Sequence, residues 1–425
     1  MKPRLLSIAA IFLPLAGAVT TVQAQTGAET VSCGEEREVR PSGLTEGTFN
    51  RLNVALEMIA EEEYDAAMAE MERLAQARLT DYEKATVQQY LGFLAAQREQ
   101  YRRSIEHFSA AVRLNQLPNQ THFDIILQIA QLYNAIEEYD LALEQLDFWF
   151  CIATEDAKKT ADVWMLKASL HVQKEEWRPA LSAVDQALAL SDDPPESWFR
   201  FKLGMLQQLE EHRESVDVLK ILVGMDPDRK EYWLQLSGTY QELNEQENAM
   251  SAMRLAYRRD LLDRSSEFTQ LAGLLQQMEA PRQAAEVLED GLQKGIVDAT
   301  ASNWEMAAGA WYQAREMRKA LDAFAQAGRL SDSGRLDYQR AQLLIAEEDW
   351  QSALTAVNAA LEKGDLNESQ TGNSYLLIGM AHFNLDNFDQ AEQAFQRAAN
   401  YGTLRSAAQE WLNHIAQTRQ QLAIR

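Results

Sequence analysis

The chain has 425 residues, of which 64 are Asp or Glu and 40 are Lys or Arg, giving a net charge of −24. That charge repels nucleic acid and anionic membranes and argues against non-specific binding to either, while a hydrophobic fraction of 46% is too high for a disordered polyanion. Nineteen glycines and nine prolines are a shortage against average usage, which argues against collagen-like and many-turned all-β chains, and two cysteines exclude a disulfide-dense scaffold and a four-thiolate zinc site.

The N-terminus reads as a secretory signal peptide over 1–24. Lys2 and Arg4 make a short positive start, and Leu5 to Val19 is an apolar run broken only by Ser7, Pro14 and Gly17. Val22-Gln23-Ala24 fits the small-x-small rule, so cleavage is expected after Ala24. The competing reading is an uncleaved anchor, but the run is short of the roughly 20 residues a span needs. No other segment reaches spanning length, so no membrane span is expected after cleavage. Removal of 1–24 leaves 401 residues and, with Lys2 and Arg4 gone, takes the charge from −24 to −26. The expected location is a Gram-negative periplasm. Residues 25–47 are polar and carry Gly27, Gly34, Pro41, Ser42, Gly43 and Gly47. They are expected to form a flexible leader.

From Thr48 the sequence repeats with a period near 36, in ten units starting at 48, 85, 123, 161, 196, 230, 265, 301, 334 and 372. Unit position 20 is Ala or Ser in all ten, from Ala67 and Ser104 to Ala391. Position 24 is apolar in all ten, from Met71 and Phe108 to Phe395. Positions 4, 7, 8 and 11 fall on one stripe of a helix A, and 20, 24 and 27 on one stripe of a helix B. Small residues at 8 and 20 let the two backbones approach, and large ones at 4, 17 or 24 fill the space between units. One hairpin cannot bury its apolar face alone, so the units must stack. The acidic runs Glu61-Glu62-Glu63, Glu137-Glu138 and Glu347-Glu348-Asp349 fall at the A–B turns and read as solvated faces and helix starts. Thr403 to Gln421 reads as a cap helix with Trp411 and Ile415 as its inner contacts.

This pattern resembles the tetratricopeptide repeat, whose period is 34. The best single unit runs Tyr232-Trp233-Leu234-Gln235-Leu236-Ser237-Gly238-Thr239-Tyr240, followed by Ala249, Met253 and Ala256. The resemblance implies an all-α, right-handed superhelical solenoid of about ten helix hairpins over 48–402, with a C-terminal cap helix and tail over 403–425. Most units lack the terminal proline of the repeat, and several carry insertions of two to four residues.

Two features stand outside generic repeat packing. Cys33 lies in the leader and Cys151 follows Phe148-Trp149-Phe150 at the end of the third unit's helix B. Two free thiols are poorly suited to an oxidising compartment, so a Cys33–Cys151 disulfide is one reading; the other leaves Cys151 packed as a small hydrophobe and Cys33 free. The second feature is Gly204, Gly238, Gly273 and Gly309 at position 9 of four consecutive units, followed three residues later by Gln207, Gln241, Gln276 and Tyr312. In tetratricopeptide arrays positions 2, 5, 9 and 12 line the concave surface. Glycine inside a helix costs about 1 kcal/mol relative to alanine, so four in register require a reason. One reading is a trough floored by glycine, with a ladder of amides that both donate to and accept from an extended peptide backbone. The other is closer packing of adjacent A helices.

No catalytic motif and no phosphate-binding loop occurs. None of the six histidines pairs with another at i, i+3 or i, i+4. An enzyme is not expected, and neither a cofactor nor a metal is called for. The stretches Lys230 to Gly238, Ala252 to Arg259, and Tyr82-Glu83-Lys84-Ala85 leading into Leu91-Gly92-Phe93 resemble tetratricopeptide proteins found beside TonB–ExbB–ExbD systems. That resemblance implies a non-enzymatic scaffold accessory to TonB-dependent uptake of iron complexes or nutrients, with TonB, ExbD or an outer-membrane receptor as partner. A scaffold for envelope assembly or polysaccharide export is the alternative. A proline-rich, lysine-rich segment of the TonB type is pre-extended and cationic, and suits an acidic solenoid.

Overall fold

The computed structural model describes Arg37, Val39 and residues 42–424, apart from 153, 155–157 and 159. The signal peptide, Ala24 and Cys33 lie outside the described residues. Every regular element among the described residues is helical. Five hairpins come first: α1 (Glu46–Ala60) with α2 (Tyr64–Ala75), α3 (Asp81–Gln97) with α4 (Tyr101–Leu114), α5 (Asn119–Ala135) with α6 (Tyr139–Ile152), α7 (Ala161–Gln173) with α8 (Trp177–Leu190), and α9 (Glu196–Gln208) with α10 (His212–Met225). Five more follow: α11 (Lys230–Glu242) with α12 (Gln246–Arg258), α13 (Ser265–Gln277) with α14 (Pro281–Gln293), α15 (Ala301–Gln313) with α16 (Met317–Arg329), α17 (Arg335–Ala346) with α18 (Trp350–Lys363), and α19 (Glu368–Asn384) with α20 (Phe388–Ala398). The helix α21 (Arg405–Ile424) ends the chain, with Ile415 buried and Trp411 stacked on Phe395 at 5.3 Å. The chain divides into two compact units, 1–218 and 219–425, with the border inside α10.

All ten A–B turns have three residues, and the middle one has a φ between 54° and 62°. Seven of these are glutamates, among them Glu62, Glu137 and Glu348. The next residue donates its N–H to the carbonyl five residues back, as in Glu63 to Met58 at 2.8 Å and Asp349 to Leu344 at 2.9 Å. This is a Schellman closure, in which the left-handed residue satisfies the orphan carbonyls of helix A. A non-glycine residue pays steric strain there, on the order of 1 kcal/mol. The residue after it begins helix B, and Glu63, Glu176, Glu245, Glu316 and Asp349 set a carboxylate at that positive helix end. Turn acids also pair with a neighbouring repeat: Arg102 with Glu138, expected from the sequence to be solvated, at 2.5 Å, Arg178 with Glu211 at 2.7 Å and Arg282 with Glu316 at 3.3 Å.

The close A–B approach is visible atom by atom. Position 20 is buried in every repeat, as in Ala67, Ser104, Ala142 and Ala391. Ser104 donates its hydroxyl to the carbonyl of Gly92 at 2.7 Å, and Ser237 donates in the opposite sense to Ala249 at 2.8 Å. Glycine at position 8 goes with phenylalanine at position 24: a methyl on Gly92 would lie 2.5 Å from Phe108, and one on Gly379 2.5 Å from Phe395. The buried position-24 side chains are each worth about 1.5–3 kcal/mol of transfer free energy, well above the strain of one turn. The linkers from each helix B to the next helix A vary in length, but α3, α5 and α19 also run to 17 residues against 13 in α7, α9, α11, α13 and α15, so several insertions lengthen helix A by a turn rather than a loop.

The expectation of a flexible leader fails at two places. Arg37 is buried and donates to Asn115 at 2.6 Å and Asn119 at 2.8 Å. Thr45 caps α1, which starts two residues before Thr48. The Thr45 backbone N–H and hydroxyl both donate to Glu83, at 2.8 and 2.7 Å. Glu83 also accepts from the backbone and hydroxyl of Thr80, at 2.8 and 3.0 Å. One buried carboxylate therefore joins the starts of α1 and α3 and ties Thr45 to the second hairpin.

Candidate functional site

The four position-9 glycines sit inside helices α9, α11, α13 and α15. A Cβ built on Gly204, Gly238, Gly273 or Gly309 would meet no heavy atom within 4 Å. Closer packing between neighbouring A helices therefore does not account for them. The contrast with Gly291 is direct, since a methyl there would lie 2.4 Å from Val297. Gly204 belongs to the first unit and is exposed, as is Gln207 one turn later. In the second unit Gly238, Gly273 and Gly309 are half-buried, with Gln241 and Gln276 half-buried beside them and Tyr312 49% exposed.

These residues recur at one register of α11, α13 and α15, so the second unit carries three equivalent steps. The main-chain carbonyls of Gln241, Gln276 and Tyr312 accept from Asn244, Glu279 and Arg315 at 2.9, 3.0 and 2.9 Å, which fixes the last turn of each helix A. The side-chain amides of Gln241 and Gln276 make no hydrogen bond within the described residues. A primary amide of this kind offers both a donor and an acceptor to a ligand. Gln235 and Gln270, one turn before Thr239 and Leu274, are exposed and widen the neutral amide surface. Past Gly309 the surface changes character. Arg335 reaches back from α17 to form a two-pronged ion pair with Glu305 of α15, at 2.8 and 2.7 Å. Sequence periodicity gives no sign of that pair, because its partners lie 30 residues apart on different hairpins.

The other expected residues fall as follows. Cys151, at the end of α6, is disulfide-bonded, so no free thiol occurs among the described residues; Cys33, the sequence's other cysteine, is outside them. His122 is buried on α5 with neither ring nitrogen hydrogen-bonded. Burial, and then the charge of Arg37, push its pKa down to about 3. Asp124, two residues on, is also buried, and burial pushes its pKa up to about 7. Sequence gave no signal for either, since both occupy helix positions that polar residues fill elsewhere at the surface. Among the described residues no three His, Cys, Asp or Glu side chains come together as metal ligands, and no helix is long and apolar enough to cross a membrane.

Paired helices with a small–small contact at positions 8 and 20 and a left-handed three-residue turn define a class of helix-hairpin repeat. The family model of the tetratricopeptide repeat matches residues 230–261 and 372–401, so α11–α12 and α19–α20 carry tetratricopeptide repeats, and the other hairpins share their helix-pair architecture. No curated protein matches it. Among solved structures, MamA from Desulfovibrio magneticus is similar at 16% identity and a TM-score of 0.36, covering 44% of this chain and 99% of that one. A tetratricopeptide repeat protein from Parabacteroides merdae is similar at 13% identity and a TM-score of 0.30, covering 61% and 99%. The TPR2AB domain of yeast Sti1, in a complex with pHSP90, is similar at 12% identity and a TM-score of 0.31, covering 60% and 98%.

Proposed function

We propose that this protein is a non-enzymatic periplasmic scaffold that holds an extended polypeptide along the helix-A face of its second unit, as an accessory to TonB-dependent transport across the outer membrane. The observation that carries the peptide reading is the open space over Gly238, Gly273 and Gly309. Glycine there loses helix stability and gains no internal contact, so the gain lies with something external. Gln241 and Gln276 supply unpaired donors and acceptors at the spacing of successive repeats. Amides read peptide groups without reading side chains, which suits a proline-rich segment that is extended before it binds. The net charge of −24 attracts a lysine-rich segment from a distance.

The signal-like N-terminus supports export, and the likeness of Lys230 to Gly238 and Ala252 to Arg259 to TonB-associated repeat proteins supports the choice of system. The test is in-cell crosslinking with partner identification, in the wild type and in a variant with Gln207, Gln241 and Gln276 changed to Ala. Recovery of TonB, ExbD or an outer-membrane receptor, reduced in the variant at an unchanged melting temperature, is the expected result. Recovery of a polysaccharide synthase or an envelope-assembly machine would replace the TonB reading. Equal recovery by variant and wild type would remove the amide ladder.

A further inference from the structure

The second unit holds a cavity of about 160 Å³ between α14, α15 and α16. Its origin lies in one small side chain. Position 7 is Leu236 in α11 and Leu271 in α13, both buried, but Ala307 in α15, and Ala307 lines the cavity. The other walls are Trp304 and Trp311 from α15, Glu289 from α14, and Lys319, Asp322 and Gln326 from α16.

One contact shows that this space accommodates a cation. The Lys319 ammonium sits 3.9 Å from the centroid of the Trp311 ring, and it makes no ion pair among the described residues. The ring face, not an acid, holds the charge. Trp304 also differs from its equivalents. At the same position Trp164 donates its indole N–H to the carbonyl of Lys158 at 3.1 Å, and Trp233 to that of Pro227 at 2.8 Å. Trp304 makes no such bond within the described residues, so its N–H, a donor that a cation cannot use, serves as a reporter of what enters the space. Two indoles, two carboxylates and one displaceable ammonium make a receptor for a planar organic cation. The volume decides how much of a ligand enters. Small-molecule sites run to roughly 300–1,000 Å³, so this space takes one headgroup whose carrier makes its remaining contacts outside.

We propose that this pocket receives a single arginine side chain of a partner polypeptide, whose guanidinium displaces Lys319 from Trp311 and is held between Glu289 and Asp322. Arginine fits better than lysine because its planar guanidinium stacks on an indole and presents donors to two carboxylates at once. The site does not depend on the glycine trough. Trp304, Ala307 and Trp311 lie on a different stripe of α15 from Glu305, Gly309 and Tyr312.

The experiment titrates the full exported chain with a nine-residue Gly/Ser peptide carrying one central arginine. The readout is the indole N–H resonance of Trp304, assigned by its loss in Trp304→Phe. The expected result is saturable binding that tightens about three- to tenfold in Lys319→Ala, as removal of a competing cation–π contact requires. Binding is lost in the Glu289→Gln/Asp322→Asn double variant, and also in Ala307→Leu, which fills the cavity with the side chain used by the two preceding repeats and keeps the fold. It is unaffected by leucine at Gly238, Gly273 and Gly309. Equal binding of the citrulline peptide, or unchanged or weaker binding in Lys319→Ala, would overturn the proposal. So would methylguanidinium binding as tightly as the peptide, which would make the ligand a free small cation.

Discussion

Replacing Gly238, Gly273 and Gly309 together by alanine should stabilise the second unit while narrowing its candidate trough. Each glycine lies in a helix interior, where alanine is better by about 0.8–1.0 kcal/mol. Each new methyl would enter open space, so no steric term offsets that gain. The three sites are on separate helices and their effects should add, to about 2.5 kcal/mol. For a unit of this size that is a rise of about 5–10 °C in melting temperature. Differential scanning calorimetry of the full chain measures it, following the transition of the second unit, since repeat arrays need not unfold in one step. Gly291→Ala is the control. Its methyl would lie 2.4 Å from Val297 and 2.8 Å from Phe268, and it should destabilise. Leucine at the same three trough positions should keep the fold and abolish capture of the extended partner. A stabilised leucine variant that still captures its partner would show that the open glycines have nothing to do with binding. A destabilised alanine variant would refute the reasoning at its root, because something would then have to occupy that space in the folded protein.

Glu83→Gln should cost the first unit on the order of 2–3 kcal/mol, as hydrogen bonds to a charged acceptor weaken. Burial alone would raise the Glu83 pKa, but bonds from Thr45 and Thr80 hold it down to about 2. Its contribution is complete above the unfolded value near 4.5 and is lost as pH falls towards 2, so the variant's urea midpoint should be flatter than wild type over that acid range. Asp124 and His122 should act in opposite senses. The raised pKa of Asp124 removes stability as pH rises from 3.8 to about 7, whereas the lowered pKa of His122 removes it as pH falls from 6.5 to about 3. Asp124→Asn should therefore be more stable than wild type at pH 8, on the order of 2–4 kcal/mol, with the difference vanishing near pH 4; a constant difference across the range would reject the titration account. Intact-mass analysis of protein exported under oxidising conditions should show no alkylated thiol before reduction and two after it, as a Cys33–Cys151 bridge requires; two labels without reduction would exclude it.

The turn chemistry shows how far composition and spacing carry. The acidic runs just before position 17, Glu61 to Glu63, Glu137-Glu138 and Glu347 to Asp349, marked three of the ten A–B turns. That Glu62, Glu137 and Glu348 take the left-handed conformation was not readable, since glycine or asparagine is the usual choice there. The seating of Arg37 was equally hidden, because its partners Asn115 and Asn119 lie about eighty residues away.

Sequence by itself determined the repeat: its helix pairs, the small–small contact at positions 8 and 20, the buried position 24, and the register of the four glycines. Those follow from local periodicity, and an array repeats its local rule. Only the tertiary structure decided what surrounds each register position. It showed space over Gly238, Gly273 and Gly309 but a crowded Gly291, and it placed Lys319 on Trp311 in a cavity left by Ala307. Whether a glycine or an alanine marks a contact or a vacancy depends on side chains from other hairpins, and no spacing along one helix encodes them.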